Sequence, residues 1–220
     1  MTASSLVSQA ISPLKCSDSV QEALLWLNDF KVQHLPVVSE GRFIGVVTED
    51  SLIEISDKNA LLRDFSIFHK DWCVKEDVHF FEVLKLANEY KLSLIPVVSL
   101  QGMYLGYITL TSILEKCAEI IGINESGGVI VIEMQEHNHS LAYIAQIIEA
   151  EQAKILSSYV QDFKDSTRVR VTIKINRTDL TTIVAGLERY NYQIVEIYNS
   201  SNDSGDSNDR YDSLMNYLNV

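Results

Sequence analysis

Basic residues are scarce in this chain. Eighteen lysines and arginines stand against thirty acidic residues, a formal charge of −12. A nucleic-acid binder needs a basic stripe to neutralise phosphates, and an anionic membrane surface demands the same, so neither partner is expected. No segment hides a basic module: residues 1–122 carry 10 basic and 16 acidic residues, 123–199 carry 7 and 10, and 200–220 carry 1 and 4. Cysteine is also sparse. Cys16, Cys73 and Cys117 are odd in number and far apart, without a C-x-x-C pair or a secretory signal. They read as reduced, buried thiols of a cytoplasmic protein. No apolar run approaches the roughly 18 residues that span a bilayer; the longest, 128–134, is a strand length. A Gly-rich phosphate loop, a Gly-x-Ser-x-Gly elbow and a Cys–His pair with a positioning acid are all missing. The acid pairs Glu49-Asp50 and Glu76-Asp77 suit helix starts better than proton transfer. Enzymatic activity is not expected.

What the chain has is a duplication. His34-Leu35-Pro36-Val37-Val38 returns as Leu94-Ile95-Pro96-Val97-Val98, sixty residues on. Gly45-Val46-Val47-Thr48 returns as Gly106-Tyr107-Ile108-Thr109, and Val20, Glu22 and Leu24 answer to Phe80, Glu82 and Leu84. A unit copied in register along its whole length implies two copies of one supersecondary element packed together. In the first copy, Ser19 with Glu22 signals a capped helix over 20–31, with Ala23, Leu24, Leu27 and Phe30 on one face. A hairpin follows, with strands from Leu35 and over 42–48 around Glu40-Gly41, then a helix over 50–55. The second copy predicts a helix over 80–90, strands over 95–99 and 104–109, and a helix over 111–121. Residues 56–71 carry Leu61, Leu62, Phe65 and Phe68, so they are expected to pack rather than to swing as a linker.

The rhythm changes at Glu125-Ser126-Gly127-Gly128. Strands are expected over 129–134, 155–163, 168–175 and 193–198, with helices over 141–153 and 178–190. That order, β-α-β-β-α-β, is ferredoxin-like. Residues 200–220 form an acidic tail whose composition suits disorder. Its end places Tyr211, Leu214, Met215 and Leu218 at helical spacing, compatible with a short docking helix. The expected division is therefore 1–122 for the duplicated pair (about 5–56 and 66–122), 123–199, and 200–220.

The doubled apolar-Pro-Val-Val strand and Gly-apolar-apolar-Thr strand resemble the CBS domain, two copies of which form one Bateman module. Residues after Gly127 resemble an ACT domain in element order. A tandem CBS pair followed by an ACT-like domain is similar to the acetoin-utilisation regulatory proteins of bacteria. The fold class is accordingly α/β (α+β): a pseudo-twofold Bateman module plus a ferredoxin-like βαββαβ domain. The resemblance implies that Thr48 and Thr109 hold a phosphate at a strand end. It also implies that the ribose-gripping Asp three residues later is replaced by Ser51 and Ser112, with Asp50 one residue early. The implied ligand is AMP, ADP, ATP or S-adenosylmethionine, with no certain cofactor. Trp26 and Trp72 suit core or dimer contacts, although Trp72 lies close to where a CBS cleft opens. In the ACT-like part, the ligand-loop position holds Glu136, His137, Asn138 and His139, with His139 where the family has Gly. His137 and His139 also form an H-x-H, a weak metal signal that a solvated turn explains better.

Two readings stay open. One is a non-catalytic regulatory sensor whose CBS pair binds an adenine nucleotide or related small molecule. The other is an interaction or dimerisation scaffold with degenerate ligand sites, in which Thr48 and Thr109 merely cap helices. In both, the chain is expected to be a homodimer acting on an unknown regulated protein, with no metal.

Overall fold

The computed structural model describes residues 1–135, 140–163 and 167–199. The chain divides into two compact units, residues 1–116 and 117–220, with the division falling inside a helix.

In the first unit the two copies build matching sheets. Strands β1 (Leu14–Lys15), β2 (His34–Ser39) and β3 (Arg42–Thr48) form one, and β4 (Val74–Lys75), β5 (Leu94–Val98) and β6 (Tyr104–Thr109) form the other. Each has a short parallel outer strand and an antiparallel hairpin. Even their irregularities match, between Val37 and Val38 and between Val97 and Val98. Helix α1 (Val20–Phe30) starts on the expected capping box, in which the Ser19 hydroxyl accepts the Glu22 amide and Glu22 accepts the Ser19 amide. It stops where Lys31 turns left-handed at φ 53°. Helix α3 (Phe80–Tyr90) stops the same way at Lys91, and α2 (Glu49–Ile53) and α4 (Leu110–Ile121) follow the hairpins.

The copies interlock. Ser19 bridges Leu61 and Val46 bridges His69, so the segment leading into copy two pairs with copy one. Thr2 bridges His79 and Ser8 bridges Tyr107, so the segment leading into copy one pairs with copy two. This exchange is the pseudo-twofold relation in residue terms. It also explains why 56–71 is packed: Leu62 is fully buried, and Phe65, Ile67 and Phe68 lie against the core of Leu14, Ala23, Leu27, Leu35, Val37 and Val47. Leu94 and Tyr107 of copy two belong to that same core.

In the second unit β7 (Gly128–Gln135), α5 (Leu141–Ala150), β8 (Ile155–Asp162), β9 (Arg168–Ile175), α6 (Thr181–Arg189) and β10 (Gln193–Asn199) follow the ferredoxin-like order. The antiparallel sheet runs β10-β7-β9-β8. Ile130, Ile132, Val171 and Ile173 of the central strands meet Ile144 and Ile148 of α5 and Ile183 and Leu187 of α6. The opposite face is mixed, with Val129, Val131 and Tyr159 among polar and charged side chains. There Glu133 accepts from Arg168 at 2.7 Å and Arg170 at 3.3 Å, which holds its carboxyl below the usual range. Four registers along the sheet, Ser157 and Lys174 donate to the carbonyls of Ile121 and Gly122.

Three expectations need correction. Helix α5 ends at Ala150 rather than 153, because Gln152 takes φ 57°. Helix α6 starts at Thr181 rather than 178; Asp179 accepts the Thr181 amide ahead of the first turn. Cys16, Cys73 and Cys117 are free but only half-buried; Cys16 packs at the edge of the core rather than within it. Among the described residues, no helix is long and apolar enough to cross a membrane.

Candidate functional site

The sharp strand-to-helix corners that carry the motif Thr residues are closed on themselves. Thr48 caps α2: its Oγ1 accepts the Ser51 amide at 3.2 Å and donates to Ser51 Oγ at 3.0 Å. Ser51 Oγ in turn donates to the Thr48 carbonyl at 2.9 Å. Thr109 and Ser112 repeat the arrangement, with hydroxyls 2.9 Å apart and the Ser112 amide 3.0 Å from Thr109 Oγ1. The preceding amides are also engaged, Glu49 N–H with the Gln33 carbonyl and Leu110 N–H with the Ser93 carbonyl. An anion arriving at either corner finds two of the first-turn amides already engaged.

Beside the first corner lies a cleft of about 210 Å³, lined by Gln33, His34, Thr48, Glu49, Asp50, Trp72, Tyr90 and Lys91. Thr48 and Asp50 of the sequence candidates thus share one cavity, and Ser51 does not line it. One wall is aromatic. His69 stacks on Trp72 with centroids 3.9 Å apart and planes 7° from parallel, and Tyr90 tilts toward Trp72 at 5.2 Å. Chain geometry explains the wall: the strand bridge from His69 to Val46 pins the segment before copy two against copy one. Glu49 and Asp50 put two carboxylates at the opposite edge.

His34 forms the floor. It is 3% exposed, and its Nε2 faces the Ser93 amide at 3.1 Å, the Leu94 amide at 3.3 Å and the Leu94 carbonyl at 3.2 Å. Two donors against one acceptor favour the neutral ring with Nε2 accepting. Burial lowers its pKa, against the raising effect of the Leu94 carbonyl. His34 therefore joins the starts of β2 and β5 across the pseudo-twofold.

The two corners are not equivalent in chemistry. In copy two, Leu110 and Thr111 stand where copy one has Glu49 and Asp50. The leader before copy one offers Ile11-Ser12 in the stretch that answers to Trp72, and no aromatic residue. The Ser93 hydroxyl at the second corner is buried without a partner. Thr109 and Ser112 are brought together. Glu136, His137, Asn138 and His139 lie outside the described residues, as do residues 200–220.

The sequence puts Trp72 close to a cleft, but nothing in it connects Trp72 with His69 and Tyr90. Tyr90-Lys91 in copy two corresponds to Phe30-Lys31 in copy one. That register alone hints that the end of α3 faces a motif corner.

The CBS domain family model matches residues 5–58 and 64–119, together half of the chain. The inosine-5'-monophosphate dehydrogenase of Methanocaldococcus jannaschii is 29% identical over 136 residues, which is 61% of this chain and 27% of that enzyme. The aligned region thus spans about a quarter of that relative's length. A CBS domain pair/ACT domain protein from Thermotoga maritima superposes with a TM-score of 0.50 at 24% identity, covering 54% of this chain and 98% of that one. CBSX2 in complex with AMP superposes at 0.46 and 23% identity, covering 54% and 97%. The likeness to the Thermotoga protein is one of fold.

Proposed function

The chain belongs to the CBS domain family, and on that premise we propose that its duplicated pair is a regulatory ligand sensor working chiefly through the cleft of copy one. The observation that carries this reading is a cavity of about 210 Å³ lined by Trp72 and Tyr90 together with Glu49 and Asp50, with His69 stacked on Trp72 outside the lining. An aromatic wall takes an adenine ring by stacking, worth about 1–3 kcal/mol for a base. Ribose recognition is weak, because Ser51 spends its hydroxyl on Thr48. Phosphate is disfavoured, because the Glu49 and Ser51 amides are engaged and the two carboxylates bordering the cleft outnumber its one cation, Lys91. At an effective dielectric near 20, unit charges several ångströms apart repel by about 2–3 kcal/mol, and by less once solvent screens them. The expected order is therefore adenosine and the sulfonium S-adenosylmethionine ahead of AMP, and AMP ahead of ADP and ATP.

Titration calorimetry of the full chain tests the order, with Trp72→Ala as the control that abolishes binding. Tightest binding by ATP would refute the charge argument. No binding by any adenine compound would refute the sensor reading.

A second reading has its own support. Both Thr–Ser pairs satisfy each other's hydroxyls, as capping elements of a scaffold would. In that case the pair serves association, and the ACT-like residues 123–199 make contacts rather than bind an amino acid. On either reading the protein is a non-catalytic homodimer acting on another protein.

A further inference from the structure

The cleft of copy one combines rings and negative charge in a way that adenine and ribose, both uncharged, do not use. Trp72 and Tyr90 both line it, their ring centroids 5.2 Å apart and their planes 32° from parallel. The same lining carries the carboxylates of Glu49 and Asp50. Both residues are exposed, and among the described residues neither carboxylate takes part in an ion pair. The one cation of the lining, Lys91, is already engaged: its Nζ donates to Asn88 Oδ1 at 3.0 Å. Further negative charge stands beside the rings. The Tyr90 hydroxyl is hydrogen-bonded with Glu89, which, with Asp71 nearby, raises the phenol above its ordinary pKa.

We propose that this cleft binds a small quaternary ammonium compound, an inference that rests on the cleft being the sensor's ligand site. The methylated head lies against Trp72 and Tyr90, and Glu49 and Asp50 balance its charge. Aromatic rings attract a cation through their quadrupole, most strongly when it is a quaternary ammonium stripped of water. A primary ammonium is a compact, strongly hydrated charge, whereas a quaternary nitrogen has no N–H to satisfy and presents methyl groups to the rings. Size agrees. A cavity of about 210 Å³ is smaller than the roughly 300–1,000 Å³ of sites for drug-sized ligands, which suits a compact head group. Copy two has Leu110 and Thr111 where copy one has Glu49 and Asp50, so one such site per chain is expected.

Calorimetric titration of the full chain at one fixed ionic strength tests this. The probes are choline and neohexanol, the uncharged alcohol in which carbon replaces the quaternary nitrogen. The expected result is choline bound at one site per chain, at least about tenfold tighter than neohexanol, and displacing adenosine. Combining Glu49→Gln with Asp50→Asn should bring choline to within about twofold of neohexanol. Both positions are exposed, and an unchanged melting temperature shows that the variant is folded. Trp72→Ala should remove choline binding. Equal affinity for choline and neohexanol in the unaltered chain would overturn the proposal, because the cleft would then read apolar surface alone. So would choline that binds without displacing adenosine, which would put the cation elsewhere. Adenosine binding without choline binding would overturn the cation site and leave the adenine reading standing. Choline binding without adenosine binding would uphold the cation site and remove adenine from the cleft. Binding of neither would overturn both.

Discussion

Replacing Gly106 by alanine should destabilise the first unit more than any surface substitution. Gly106 has φ +142°, and a Cβ built there would stand 2.5 Å from the Ser8 carbonyl oxygen and 2.5 Å from Val7 Cγ1. The first obstacle is backbone, so the leading segment has to move rather than a side chain turn aside. That segment is held by reciprocal bonds, the Ser8 amide to the Tyr107 carbonyl at 2.8 Å and the Tyr107 amide to the Ser8 carbonyl at 3.0 Å. Losing both costs about 2 kcal/mol, and forcing alanine into this region of φ adds about 1–2 kcal/mol. The expected loss is about 3–4 kcal/mol, or roughly 10–20 degrees in melting temperature for a unit of this size. Urea unfolding followed by far-ultraviolet circular dichroism measures it, with an unchanged slope showing that only stability has altered. A loss below about 1 kcal/mol would refute the reasoning, because it would mean that the leading segment slides freely on β6. The twin substitution, Gly45→Ala, adds a functional readout. Its Cβ would stand 2.8 Å from Phe68 Cβ and 3.1 Å from the His69 carbonyl, so it displaces the segment that carries the aromatic wall. Gly45→Ala should therefore weaken adenosine binding at least fivefold, and Gly106→Ala should leave it within twofold.

Stability should fall with acidity through His34. Its folded pKa lies below the ordinary 6.5, so the unfolded chain takes up a proton first, and stability is lost as pH falls from about 6.5 toward the folded value. His34→Gln should flatten that part of the pH–stability curve; an unchanged curve would refute the assignment to His34. Ser51→Asp should tighten adenosine, since a charged acceptor contributes about 1.5–3 kcal/mol where a hydroxyl contributes about 0.5–1.5. The gain should be smaller for ATP, and calorimetry showing equal gains would contradict the charge argument. Light scattering at micromolar concentration should give a dimer mass, because Leu25, Ile53, Leu110 and Leu114 are exposed on the helices of the first unit; a monomer would count against both functional readings.

Much of the fold was legible in the chain because the copies check one another. A Pro-Val-Val strand read once is ambiguous, but read twice in constant register it fixes hairpin, corner and helix, and the matched irregularities of β2–β3 and β5–β6 follow from the same register. The Ser19–Glu22 box and the period-two run from Val169 to Ile175 needed only local rules. Thr48 and Ser51 were readable as neighbours because they are three residues apart at a helix start. Trp72, His69 and Tyr90 were not, because rings from a leading segment and a helix end meet only when the chain returns on itself.

Local sequence therefore settled the elements and their order: periodicity, caps and turn residues act over a few positions and need no partner. The exchange of leading segments was decided in three dimensions. A repeat cannot state which copy its leader joins, since the pattern within each copy is the same whichever leader pairs with it. The packed structure chooses, placing Ser8 on Tyr107 and His69 on Val46. That choice makes the two corners differ. The leader before copy two brings Trp72 to Glu49 and Asp50, while the leader before copy one has only Ile11 and Ser12 in the corresponding stretch.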